Sequence, residues 1–164
     1  MGRKIKYIFV HCTASWQLTT SEQSLRDEFK AKGWKAPGYH YVVKTDGNII
    51  RMLDENKVAN GVKGYNDVSI HVAYIGGIGF KKDKDGKDTK IIESVDNRTP
   101  AQRLGLFDLL VKLKQKYPSA RILGHRDISP DLNCNGVIDA WERIKDCPCF
   151  DAEIEYADIN DIGT

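Results

Sequence analysis

Near the N-terminus, Lys4 to Thr13 carries Ile5, Tyr7, Ile8, Phe9 and Val10, a β-rich run apolar enough for a buried strand, with His11 near its C-terminal end. A buried strand commits the chain to a sheet packed by other elements, and a polar side chain at its end faces a cleft. The following segments supply the packing. Thr20-Ser-Glu-Gln23 is a capping-box pattern, Leu25 and Phe29 share a face, and Gly33 is a stop, which predicts an amphipathic helix from Ser21 to Lys32. Tyr39 to Lys44 and Asn48 to Leu53 flank Asp46-Gly47, a dipeptide that signals a hairpin between two β-rich runs.

Ser69 to Ile75 reads as another strand, closed by Gly76-Gly77. Thr99-Pro100-Ala-Gln102 supplies an N-cap, a first-position proline and a capping-box glutamine for a helix running to about Tyr117, with Leu104, Phe107, Val111 and Leu113 expected inward. Ala120 to Leu123 is a short strand delivering His125, and one more helix is expected near Asp139 to Lys145. Lys81 to Asn97 is dominated by charge around an Asp85-Gly86 turn and reads as a solvated loop or exposed hairpin without chemistry. The order β, α, hairpin, strand, long α, strand predicts an α/β fold, a mixed central β-sheet flanked by helices.

A chain of 164 residues and 18.5 kDa fits one domain, residues 1–164. At that mass it should expose roughly 8,000 Å² and bury about 70% of its extended-chain surface, a real core without disulfides. Lys and Arg number 25 against 23 acidic residues, and a net charge of +2 is too small to argue for nucleic acid or an anionic membrane as partner. No stretch approaches the roughly 20 apolar residues of a membrane helix. The N-terminal run breaks at His11 and reads as a strand rather than a signal peptide, so the chain is expected to be made in the cytoplasm. In such a setting Cys12, Cys134, Cys147 and Cys149 point to metal or redox chemistry before disulfides.

Three candidate metal ligands, His11, His125 and Cys147, lie at the ends of separate predicted elements. Two imidazoles and a thiolate with an open water position make a catalytic zinc site, because Zn²⁺ takes N and S donors tetrahedrally. Spacing alone leaves a second reading open, two half-buried histidines and an inert cysteine.

The wording around these residues resembles the zinc-dependent N-acetylmuramoyl-L-alanine amidases of the phage-lysozyme type and the related peptidoglycan recognition proteins. The matching pieces are Phe9-Val-His-Cys-Thr-Ala14, Gly33-Trp34, Gly38-Tyr-His-Tyr-Val-Val-Lys44 with Asp46-Gly47, Lys63-Gly-Tyr-Asn66, Ser69-Ile70, Gly76-Gly77, Thr99-Pro-Ala-Gln102, Gly124-His-Arg-Asp127 and Cys147-Pro148. The resemblance implies a fold of the peptidoglycan recognition protein type, with His11, His125 and Cys147 as zinc ligands and Tyr39 and Lys145 as the catalytic pair beside the metal. It also implies a substrate, peptidoglycan or a muropeptide, cut between N-acetylmuramic acid and L-alanine by an enzyme expected to be monomeric. Two other readings stay open: a peptidoglycan-binding module without catalysis, and a cytoplasmic amidase that recycles soluble anhydro-muropeptides. An endolysin-like enzyme also fits a chain without a signal peptide, since such proteins reach the wall when a partner opens the membrane.

Two positions depart from the pattern. Some phage relatives place a further histidine shortly before the Lys-Gly-Tyr-Asn sequence, where this chain has Asn60-Gly61-Val62, and His71 stands on a strand where relatives often have glycine. His71 is expected to be a packing or surface residue and His40 a structural one.

The connection from His125 to Cys147 holds a second motif. Asp131, Asn133 and Asn135 fall at positions one, three and five of an EF-hand-type loop, Gly136 at six, the Val137 carbonyl at seven, Asp139 at nine and Glu142 at twelve. The insert at 131–142 is therefore a candidate Ca²⁺ site, against a turn that imitates the loop without an ion, since Ser129-Pro130 interrupts any entering helix. Cys12, Cys134 and Cys149 default to buried free thiols, with a pair able to bridge in an oxidising setting.

Overall fold

The computed structural model describes residues 2–129, 132–136, 138–143 and 145–162. The apolar N-terminal run forms β1 (Tyr7–Cys12), which lies inside the sheet with parallel neighbours on both sides, β4 (Ser69–Tyr74) and β7 (Arg121–Gly124). Beyond β4 comes β2 (Tyr41–Val43), also parallel, and the Asp46-Gly47 turn returns the chain as the antiparallel edge strand β3 (Ile49–Arg51). The order β3-β2-β4-β1-β7 is the mixed central sheet that the element order predicted.

Side chains alternate across a strand, so each face has its own set. Ile8 and Val10 of β1, Ile70 and Val72 of β4 and Ile122 of β7 point to one face and are wholly buried. Helix α2 (Pro100–Lys116) covers them with Leu106, Leu109, Leu110 and Leu113. Ala152, Tyr156 and Ile159 of two short helices, α3 (Ala152–Glu155) and α4 (Ala157–Asn160), complete the cover. On the opposite face, α1 (Glu22–Ala31) lays Leu25 and Phe29 against Val42, Met52, Ala73 and Ile75. The rest of that face carries Phe9, His11 and His71 instead of a second apolar layer, and there the cleft forms.

Four local expectations are corrected. The α1 capping box is one residue further on, Ser21 with Ser24, because the Thr20 hydroxyl bonds to Ser15 and to the Trp16 carbonyl. In α2, Leu104 and Phe107 are exposed rather than inward. The helix is apolar on several sides, and its phase is set by Gln102, whose buried amide donates to the carbonyls of Val43 and Ile75 at 3.2 and 2.9 Å. Gly105 confirms the phase: a Cβ there would lie 2.7 Å from the Gly47 carbonyl oxygen.

Of the helix expected at 139–145, the described residues form a single 3-10 turn, Ala140–Glu142, with Trp141 exposed. Helices α3 and α4 were not expected; the Asp151 side chain caps α3 by accepting from the Ile154 amide. The charged segment after the fourth strand is an exposed hairpin, β5 (Ile78–Lys82) and β6 (Asp88–Ser94), separate from the main sheet. The accessible surface of 9554 Å² is above the roughly 8,000 Å² expected from the mass. Among the described residues no helix is long and apolar enough to cross a membrane.

Candidate active site

Register brings the first two ligands together. Phe9 pairs with Leu123 and Val10 with Gly124, so His11 and His125 continue side by side at the C-terminal ends of parallel strands, with ring centroids 5.0 Å apart. The third arrives from the C-terminal segment, pinned by backbone groups. The Arg126 amide donates to the Cys147 carbonyl at 2.8 Å, the Cys12 amide reaches the Cys147 thiol at 3.1 Å, and the Tyr74 hydroxyl donates to the Pro148 carbonyl at 2.7 Å.

One ligand atom from each of His11, His125 and Cys147 lies within 4.8 Å of the others, and the Cys147 sulfur is 3.7 Å from His11 Nδ1. Zn–N bonds near 2.05 Å and a Zn–S bond near 2.3 Å put tetrahedral N and S ligands about 3.5 Å apart, so the donor set fits zinc in type, and the His11–Cys147 pair is close to that spacing. Protonation agrees. Burial, then the neighbouring His71, His125 and Lys145, holds His11 well below the usual imidazole range. Burial and the Lys145 charge bring His125 down to about 4. Both rings are therefore neutral at neutral pH and keep a lone pair for a metal. The adjacent Cys147 thiol, with burial, pushes Cys12 up to about 12, so Cys12 stays protonated behind the site. Its sulfur is 3.7 Å from that of Cys149, which brings together one of the cysteine pairs considered above, while Cys134 is exposed.

Tyr39 and Lys145 join the ligands in one cleft of about 240 Å³, which Glu28, Lys32, Trp34 and Asn60 also line. The Tyr39 ring sits edge-on to Phe29 and 5.3 Å from the His11 ring, and its hydroxyl donates to the Cys12 carbonyl at 3.3 Å. Burial, then nearby Cys147, raises the Tyr39 phenol well above its ordinary value, so it remains a proton-bearing donor. Lys145 is exposed at the cleft wall.

His71 is the residue whose role the sequence did not disclose. It is fully buried on the same sheet face as His11, and its Nδ1 lies 2.9 Å from His11 Nε2. Its ring stacks on Phe9 at 5.7 Å and on His40 at 6.0 Å, a row across three neighbouring segments of the sheet. His40 is also buried: its Nδ1 accepts from the His71 amide at 3.0 Å, so its Nε2 bears the proton and donates to the Lys57 carbonyl at 2.8 Å. The two departures from the family pattern turn out to touch, since Gly61 packs against the His71 ring.

The loop at 131–142 is different in kind. Asp131 and Val137, two of the six expected calcium donors, lie outside the described residues. Of the others, the Asp139 carboxylate accepts from the side-chain amides of Asn133 and Asn135 at 2.9 and 3.0 Å. Glu142 is buried and accepts from the amides of Asn133 and Asp139. The described residues of the loop thus hydrogen-bond to one another. Among the described residues the one group of His, Cys, Asp and Glu side chains arranged for a metal is His11, His125 and Cys147, and nothing supports calcium.

A family model described as N-acetylmuramoyl-L-alanine amidase matches residues 1–148, a span that takes in all five residues of the cleft proposed for chemistry. The chain belongs to this amidase family. An endolysin of Klebsiella phage KP32 is 34% identical to it over 145 residues, covering 88% of this chain and 80% of that protein. The amidase LysC of Clostridium intestinale URNW has the same fold, with a TM-score of 0.68 at 23% identity over 96% of this chain and 87% of that one. Bumblebee PGRP-SA follows at 0.64 and 16% identity over 96% and 84%, which places this amidase in a peptidoglycan recognition protein type of fold.

Proposed function

We propose that the chain is a zinc-dependent amidase that hydrolyses the bond between N-acetylmuramic acid and L-alanine in peptidoglycan. One observation carries the reading: two neutral imidazoles and a thiol converge within 4.8 Å in the same cleft as a half-buried phenol and a lysine. Zinc held by His11, His125 and Cys147 would supply a Lewis acid for the scissile carbonyl and activate water at neutral pH. The protein's own groups do the rest. Tyr39 keeps its proton and can turn its hydroxyl from the Cys12 carbonyl to the oxyanion that develops on the substrate. Lys145 brings a positive charge to the same cleft and steadies the same oxygen. The neighbouring Glu28, Lys32, Trp34 and Asn60 form the wall against which glycan and stem peptide are positioned.

The endolysin name of the phage relative supports action on the bacterial cell wall after release. Retention of the thiol ligand with Tyr39 and Lys145 favours catalysis over binding alone. The test is mass spectrometry of products released from purified sacculi and from soluble muropeptides, with untreated, chelated and zinc-restored protein. Stem peptides with a free L-alanine amine, lost on chelation and regained with zinc, are expected. A folded, metal-loaded protein that binds sacculi and releases nothing would replace the hydrolase by a binding module, and release from soluble fragments alone would favour recycling.

A further inference from the structure

We propose that His71 is a positioning residue for the metal centre: its Nδ1 accepts the Nε2 proton of His11 and so fixes His11 as the tautomer whose bare Nδ1 faces the cleft. The inference rests on the reading of His11, His125 and Cys147 as zinc ligands. A neutral imidazole carries one proton, and His11 can offer Nδ1 to a metal only if that proton sits on Nε2. His71 Nδ1 is the acceptor there, at 2.9 Å and fully buried. Ligand histidines commonly give their second N–H to a carboxylate, carbonyl or water. In this chain a second imidazole does that work.

Three features show that the site is built around the His71 ring. Phe9 and His40 sandwich it at interplanar angles of 11° and 8°, and the His40 ring is itself held by accepting from the His71 backbone amide. Gly61 leaves space for it: a Cβ at Gly61 would lie 2.2 Å from His71 Nδ1, although the Gly61 backbone has no left-handed φ that would by itself call for glycine. Finally, His71 Nε2 is buried with no hydrogen-bond partner among the described residues. A ring kept only to fill space would be better as hydrocarbon, because that orphan nitrogen carries a desolvation cost. The one employed nitrogen is the one aimed at His11.

The experiment is zinc affinity by chelator competition, on full-length wild type, His71→Leu, His71→Asn and Gly61→Ala, with Cys147→Ser as the ligand-loss control and circular dichroism to check folding. Leucine fills the sandwich and removes the acceptor, whereas asparagine puts an amide oxygen near the Nδ1 position. The expected order is wild type, then His71→Asn within a few-fold, then His71→Leu weaker by about 10- to 100-fold. Gly61→Ala, whose Cβ would press on the His71 ring, should fall with His71→Leu. Pure packing predicts the reverse, leucine better than asparagine, and that order or equal affinities would overturn the proposal. Should His71→Leu not fold, ¹⁵N spectra of zinc-loaded wild type decide: a protonated His11 Nε2 coupled to His71 Nδ1 is expected, and a proton on His11 Nδ1 refutes it. Wild type that binds no zinc, with Cys147→Ser identical to it, removes the metal centre itself along with the inference, whereas zinc binding lost only in Cys147→Ser removes the His71 role alone.

Discussion

The two faces of the central sheet are made from alternate residues of the same strands, yet the face under α2 and the cleft part of the other face, beside the apolar contact with α1, are held by different forces. Under α2, Ile8, Val10, Ile70, Val72 and Ile122 meet leucines, and the contact is hydrocarbon on hydrocarbon. Such a layer is specified by volume and pattern, and it accepts substitution that keeps both. One residue along each strand, Phe9, His11 and His71 face the other way, and there nearly every ring has a named polar partner. The first face stores stability. The second holds directions, and a change of atom type matters there more than a change of volume.

That contrast breaks most completely at Cys147. Cys147→Ser should strip the metal and abolish product release while the far-UV circular dichroism of the fold is kept; zinc content after mild dialysis, measured beside activity, checks both halves. Tyr39→Phe comes next, with metal content unchanged and turnover lower by about 10²- to 10³-fold, the cost of removing one oxyanion donor. A Tyr39→Phe protein that turns over at the wild-type rate would take Tyr39 out of the catalytic pair.

On the hydrocarbon face, Leu110→Ala removes a wholly buried side chain and should cost about 2–5 kcal/mol. Calorimetry should show a melting temperature lower by about 5–15 °C, with per-molecule turnover near wild type well below the transition. The faces also differ in their response to pH. His11 and His125 titrate below ordinary histidines, which lie near 6.5 in the unfolded chain. The unfolded chain therefore takes up these protons first, so the contribution of both rings is fully present above about pH 6.5 and is lost as pH falls below it, for His125 toward about 4. Denaturant midpoints of metal-free protein between pH 7.5 and 4.5 should fall more steeply for wild type than for His125→Asn, and parallel curves would be the failing result. The smallest effect belongs to Leu104→Gln: with Leu104 68% exposed, the change should stay within about 0.5 kcal/mol. A loss like that of Leu110→Ala would mean that α2 presents the face its sequence suggested.

Local chemistry made much of this legible. The apolar run of β1, the Thr99 and Gln102 capping box and the Asp46-Gly47 hairpin are signals carried within one turn or a few residues, and all three are found. Residue type and family wording named His11, His125, Cys147, Tyr39 and Lys145, which share one cleft. The short helices α3 and α4 carry a local signal too, since Ala152, Tyr156 and Ile159 recur at helical spacing after the Asp151 cap. The face of α2 was ambiguous for a physical reason. Apolar residues at 104, 106, 107, 109, 110, 111 and 113 nearly encircle the helix, so periodicity cannot choose a side, and the choice falls to the Gln102 bonds to two strand ends.

Strands and helices over most of the chain, and the donor atoms on offer to a metal, follow from residues read in order along the chain. What stands beside those donors follows from the assembled sheet. The bond between His11 and His71 joins residues 60 apart, and it exists because β1 and β4 run parallel with Phe9 opposite His71. A slip of one residue in that register would turn His71 to the hydrocarbon face. Register is fixed by the packing of the whole sheet, and no local stretch of sequence encodes it.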